Sequence, residues 1–151
     1  MKQPLRLVRI GADGTSVESL DSLPEVAREA CAATTALYDR VGFDPPWTGY
    51  LALSGPDVVG TCAFKTGPRL GKVEIAYYTF PPFEGQGIAT AMARALIEIA
   101  RTADRTMELT AQTLPEPNAS NAILRKLGFQ FVGAVDVPDE GAVWEWRLSP
   151  I

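Results

Sequence analysis

Residues 72–92 read Lys72-Val73-Glu74-Ile75-Ala76-Tyr77-Tyr78-Thr79-Phe80-Pro81-Pro82-Phe83-Glu84-Gly85-Gln86-Gly87-Ile88-Ala89-Thr90-Ala91-Met92. The run from Lys72 to Phe80 is rich in β-branched and aromatic side chains and suits a strand, and Pro81-Pro82 ends it because proline brings no N–H to a ladder. From Ile88 onward the apolar residues Ile88, Met92, Leu96, Ile99 and Ala103 recur every three or four positions while Arg94, Glu98 and Arg101 fall elsewhere on the wheel, so a helix follows. A strand, a turn with glycines two apart and a helix starting at once bring backbone N–H groups and the positive end of the helix dipole to one point. That point suits a phosphate or pyrophosphate. Gly85 and Gly87 let the backbone approach such a group without a side chain in the way.

Working outward toward the N-terminus, Gly67-Pro68-Arg69-Leu70-Gly71 turns the chain into this strand. Val58 to Lys65 and Tyr50 to Leu53 are apolar runs joined by Ser54-Gly55-Pro56-Asp57, a strand hairpin. Phe43 to Gly49 is a loop. Ser22 stands three residues before Glu25 with Pro24 in the first turn, a capping-box spacing that starts a helix running to Arg40. Leu5 to Ile10 forms a first strand closed by Gly11-Ala12-Asp13-Gly14. Toward the C-terminus, Met107 to Thr113 alternates with period two as a fifth strand, and Leu114-Pro115-Glu116-Pro117 breaks it. Asn118 is placed to cap a short helix through Lys126, and Gly128 to end it in a left-handed conformation. Phe129 to Val135 and Ala142 to Leu148, separated by Asp136 to Gly141, close as a hairpin. The series has no linker or repeat, and residues 1–151 read as one α+β domain.

Composition narrows the chemistry. The 151 residues are 46% hydrophobic and include no histidine, which removes Ser–His and Cys–His dyads, histidine shuttles and most zinc sites. No metal site is expected, and acid–base work falls to carboxylates, tyrosine, serine or water. Cys31 and Cys62 stand alone among apolar neighbours and read as buried reduced thiols. A formal charge of −4 argues against a nucleic-acid surface and favours a cationic acceptor. No apolar run reaches a signal peptide or the ~18 residues of a membrane span. A cytoplasmic protein without membrane association is the expectation.

Three readings compete for the glycine turn. The dinucleotide fingerprint wants a third glycine where Thr90 stands, and the nucleotide P-loop lacks its Gly-Lys-Ser/Thr ending. The third is a plain glycine turn entering a helix. The run Val73 to Tyr78 followed by Glu84 to Met92 resembles the cofactor-binding stretch of the GCN5-related N-acetyltransferases, whose turn is written Q/R-x-x-G-x-G/A. Gly87 and Ala89 meet positions four and six, and Glu84 departs from position one. A second stretch, Thr113 to Ser120 followed by Leu124-Arg125-Lys126-Leu127-Gly128-Phe129, is similar to the N-x-S … L-x-K-x-G-F segment of the subgroup that includes ribosomal-protein N-terminal acetyltransferases.

The resemblance implies a mixed, mostly antiparallel sheet of about seven strands, helices on both faces, and a fourth and fifth strand that splay apart. It implies acetyl-CoA as co-substrate. Its pyrophosphate would lie on Gly85, Gln86, Gly87, Ile88, Ala89 and Thr90, and its pantetheine arm along the backbone of Tyr78, Thr79 and Phe80 with Asn118 contacting its amides. With Glu84 at position one, backbone N–H groups and the helix end carry the pyrophosphate without a cationic side chain. Glu74 stands where some relatives carry a general base, and its ordinary alternative is a glutamate on a polar strand face. Ser120 is the candidate proton donor to the departing thiolate, or else a helix serine without a chemical role. Many relatives use a tyrosine on this helix, where Leu124 stands here. Phe43, Trp47 and Tyr50 follow the first helix, where the family places acceptor-binding residues, but each is also an ordinary packing residue. Trp144 and Trp146 share one face of the last strand and belong to the core or to an oligomer contact, which leaves a homodimer open.

The expected activity is transfer of an acetyl or other acyl group to a primary amine of a small molecule or a protein N-terminus. The rival reading is a CoA-binding or sensory module with the same fold and no turnover.

Overall fold

The computed structural model describes residues 4–16, 18 and 23–150. Seven strands form one sheet: β1 (Leu5–Arg9), β2 (Gly49–Ser54), β3 (Asp57–Phe64), β4 (Lys72–Thr79), β5 (Glu108–Thr113), β6 (Gln130–Val137) and β7 (Gly141–Leu148), in the order β1-β2-β3-β4-β5-β7-β6. The helices are α1 (Glu25–Val41), α2 (Ile88–Ala103) and α3 (Ala119–Lys126). Every neighbouring pair is antiparallel except β4–β5. That exception follows from the sequence, because α2 connects the two strands and a helical crossover returns the chain in the same direction. The capping serine expected at Ser22 lies outside the described residues, and Glu25 opens α1 with Pro24 before it.

The sheet is covered on both faces, by two cores. Val73 and Ile75 of β4, Leu109 and Ala111 of β5 and Trp146 of β7 pack with Met92, Ala93, Leu96 and Ala100 of α2 and Leu124 of α3. Removing each such large side chain from water contributes roughly 1.5–3 kcal/mol. On the other face Ala27 and Cys31 of α1 pack with Val8, Ile10, Leu51, Leu53 and Phe80. Gly60 of β3 lets α2 sit close, since a Cβ there would lie 2.7 Å from the Tyr78 carbonyl oxygen and 3.0 Å from the Met92 side chain. Both cysteines are buried and free, as expected.

Two local departures have simple causes. The closing hairpin is tighter than the composition of residues 136–141 suggested: β6 runs to Val137 and β7 starts at Gly141. Asp139 adopts a positive φ of 69°, and the Glu140 N–H reaches the Val137 carbonyl at 3.1 Å, so three residues suffice for the turn. By contrast α3 ends as its sequence requires. Gly128 has a φ of 95°, its N–H bonds to the Arg125 carbonyl, and the Phe129 N–H bonds to Leu124, the paired bonds of a Schellman ending.

Candidate functional site

Pairing of β4 with β5 runs from Lys72↔Glu108 to Ile75↔Ala111 and stops there, although β4 continues to Thr79 and β5 to Thr113. The strands therefore part toward their C-terminal ends, the end at which α2 and α3 begin. The closed end is tied by charge: the Glu108 carboxylate lies 3.5 Å from Lys72 Nζ and 3.3 Å from Arg147 Nε. On its other side β4 stays paired with β3. The Lys65 N–H bonds to the Glu74 carbonyl and the Phe80 N–H to the Val59 carbonyl, both at 2.9 Å. Since the backbone groups of an antiparallel ladder alternate in direction, those of residues 74, 76, 78 and 80 point to β3 and those of Tyr77 and Thr79 point into the gap. Of the expected trio Tyr78, Thr79 and Phe80, only Thr79 offers its backbone to the gap. Tyr77, which the sequence reading passed over, offers its own.

The gap leads to the glycine turn. Residues Pro81–Phe83 form one 3-10 turn, after which Gly85 and Gly87 take φ values of 77° and 78°. Left-handed backbone at two alternate positions is what glycine permits at least cost. Gly87 occupies the cap position of α2, no side chain caps the helix, and its first bond runs from the Ala91 N–H to the Gly87 carbonyl at 3.1 Å. The amides of Ile88, Ala89 and Thr90 thus precede the helical ladder. A Cβ on Gly85 would meet nothing within 4 Å, so the turn is open at that residue. Open space, uncommitted helix amides and a helix dipole fit a pyrophosphate. Glu84 is exposed beside it.

Across the gap, α3 begins differently. The Asn118 side chain accepts a bond from the Asn121 N–H at 3.0 Å. Asn121, itself buried, donates to the Glu116 carbonyl at 2.5 Å and pairs with the Thr113 hydroxyl at 2.5 Å, which in turn accepts from the Trp146 indole at 3.1 Å. Arg125 lies over the Trp146 ring, 5.3 Å from its centroid. This chain fixes α3 on the end of β5, and it places Trp146 in the core. Asn118 is a cap, as one of its two expected roles required, and its oxygen is committed to that bond.

Ser120, in the first turn of α3, faces the Tyr77 hydroxyl. Burial pushes the Tyr77 phenol above its ordinary value and the nearby Ser120 partly offsets the rise. The two do not meet hydrogen-bond geometry, and the Tyr77 oxygen is shielded from solvent without a bonded partner. Leu124, one turn farther along α3, is wholly buried and carries no chemistry.

Glu74 stands three residues before Tyr77 and therefore on the opposite face of the sheet. Its carboxylate lies 2.9 Å from Lys65 Nζ at the edge of a cleft of about 390 Å³ shared with Arg69, Thr110, Glu145 and Arg147. A second, uncharged cavity of about 250 Å³ opens on the same face between α1 and β3–β4, lined by Ala30, Ala33, Thr34, Ala63, Ala76 and Tyr78. Phe43, Trp47 and Tyr50, expected to form an aromatic slot, each have packing partners of their own. An isolated bridge between Asp44 and Trp47 folds the loop on itself. Phe43 packs on Tyr38 at 5.1 Å, Trp47 on Phe64 at 5.1 Å, and Tyr50 is buried with its hydroxyl donating to the Pro46 carbonyl. Among the described residues, no group of three His, Cys, Asp or Glu side chains is placed to hold a metal ion.

Residues 9–130 match the family described as Acetyltransferase (GNAT) domain. No curated protein matches the chain. Among solved structures, the fold is similar to an acetyl transferase from Salmonella typhimurium described as modifying the N-terminal serine of ribosomal protein L7/L12 (17% identity, 98% of this chain and 96% of that one, TM-score 0.68). It is also similar to the microcin C7 self immunity acetyltransferase MccE in complex with acetyl-CoA and AMP (13% identity, 82% and 70%, TM-score 0.64). A third is Mycobacterium smegmatis RimJ in complex with a CoA disulfide (20% identity, 87% and 68%, TM-score 0.64).

Proposed function

The chain belongs to the acetyltransferase (GNAT) family, and from that premise we propose that it moves an acetyl group from acetyl-CoA to a primary amine carried by a small molecule or by a peptide N-terminus. The observation that carries this reading is the end of β4–β5 pairing at Ile75↔Ala111, which opens a gap leading directly to the uncapped start of α2. Acetyl-CoA supplies the activated acyl group. The turn Gly85 to Thr90 holds the pyrophosphate, and the outward backbone of Tyr77 and Thr79 lines the arm. A backbone N–H in this gap can also stabilise negative charge developing on the acyl oxygen, a large share of catalysis in acyl transfer.

The acceptor enters from the α1 face. There the uncharged cavity walled by Tyr78 receives its body and Glu74, directly or through a water, removes the proton of its ammonium. The ion pair with Lys65 holds the Glu74 carboxylate in place. Amino-terminal serine and small-molecule acetylation by proteins of this fold give two acceptor types to test first.

The experiment is a panel of small amines, amino acids and short peptides mixed with acetyl-CoA, with free thiol release and product mass as readouts. Amine-dependent thiol release with a matching mass gain of one acetyl group supports the proposal. Tight CoA binding with no amine-dependent thiol release across the panel overturns it in favour of a binding module.

A further inference from the structure

The Tyr77 hydroxyl is closed off from solvent without a hydrogen-bond partner. A buried O–H in that state calls for an explanation, and a ligand that completes it is one. Tyr77 lies two residues beyond Ile75, the last residue of β4 to pair with β5, so it stands where the gap opens. Its ring packs against the core shared by α2 and α3, and Ser120 at the start of α3 is beside its oxygen. Leu124 cannot donate a proton, and the chain has no histidine.

We propose that Tyr77 supplies the proton taken up by the departing sulfur in the transfer reaction, with Ser120 as its positioning partner. The inference rests on the acetyltransferase reading. As the amine nitrogen bonds to the acyl carbon, the carbon–sulfur bond breaks and the sulfur leaves with its electron pair. The Tyr77 O–H proton moves to that sulfur. The phenolate so formed is reprotonated through Ser120 and solvent, and the proton lost by the amine balances the account on the opposite face, where Glu74 lies. Burial holds the phenol protonated through the neutral range, as a donor requires. Base and acid thus work from opposite faces of one strand, matching an amine that arrives on one side and a thiol that leaves on the other.

The test compares wild type with Tyr77→Phe and Ser120→Ala. Tyr77→Phe removes only an unpaired hydroxyl, so its melting temperature should equal or exceed that of wild type and its CoA affinity should stay within about twofold. Its kcat should fall about 100-fold with little change in amine KM. A second readout needs no turnover: the thiol of bound CoA is titrated by the ultraviolet absorbance of its thiolate. A hydroxyl donating to sulfur favours the thiolate, so the thiol should titrate at lower pH in wild type than in Tyr77→Phe, with Ser120→Ala between. Identical thiol titrations in wild type and Tyr77→Phe, or a Tyr77→Phe kcat within about threefold of wild type, overturn the inference. A lower melting temperature with an unmoved titration makes Tyr77 a packing residue. Failure of wild type to bind CoA overturns the acetyltransferase reading itself, and this inference falls with it.

Discussion

Helices α2 and α3 begin at the same end of the sheet, on either side of the gap, and their first turns are built in opposite ways. At α3 a polar chain from Asn118 through Asn121 and Thr113 to Trp146 occupies the cap with protein groups. At α2 no side chain caps the helix, and two glycines hold the turn in left-handed backbone. A helix end completed by protein serves stability, whereas one left to the solvent side is suited to a ligand that supplies the missing acceptors. The contrast separates what should hurt binding from what should hurt folding.

The largest effect is expected at α2. Gly87→Asp places a carboxylate at the anion seat, while aspartate is among the side chains that tolerate left-handed backbone best. CoA affinity should fall by at least about 100-fold in calorimetric titration, about 2.7 kcal/mol, while the variant still melts cooperatively with a loss of about 1–2 kcal/mol. The converse change is at α3. Asn121→Ala leaves the Thr113 hydroxyl and the Glu116 carbonyl without their buried partner and should cost about 2 kcal/mol, visible as a melting temperature lower by roughly 4–8 °C. Its CoA affinity should change far less than that of Gly87→Asp. If the two variants showed the same balance of binding and stability losses, the division between the helix ends would collapse.

Asn118→Ala sharpens the same contrast, because that residue sits at the boundary. Loss of the cap alone should cost about 1 kcal/mol in chemical denaturation, and an added loss of CoA affinity would show that its amide also meets the pantetheine arm. The smallest change is expected from Glu84→Gln. Removing a negative charge beside the pyrophosphate seat should tighten CoA binding a few-fold, with the gain shrinking as salt is raised. An unchanged affinity at low salt would place Glu84 too far from the phosphates to matter.

Much of this arrangement was legible in the sequence because it rests on local chemistry. Gly85 and Gly87 marked a turn open to close approach, Gly128 a left-handed helix end and Asn118 a helix cap, and periodicity marked α2 and β5, so the strand–turn–helix unit and the α+β sheet followed. What the sequence reading missed depends on pairing between distant segments. Tyr77 reads as one aromatic among several in a strand, and only the stop in pairing after Ile75↔Ala111 sets it at the gap. The pairing of β4 with β3 likewise turns the backbone of Tyr78 and Phe80 away from the gap. The link from Asn121 through Thr113 to Trp146 joins three elements, and no spacing along the chain announces it. Phe43, Trp47 and Tyr50 follow the first helix, where the family places acceptor residues, but their packing on Tyr38, Phe64 and the Pro46 carbonyl depends on pairing that no local spacing announces.

The most direct measurement of the central claim uses the ligand instead of the protein. Coenzyme A and pantetheine share the thiol arm but differ in the pyrophosphate-bearing nucleotide, so their affinities for wild type report what the α2 end contributes. The account predicts that coenzyme A binds at least about 100-fold more tightly than pantetheine, about 2.7 kcal/mol, and that Gly87→Asp removes most of that difference. Equal affinities for the two ligands in wild type would contradict it.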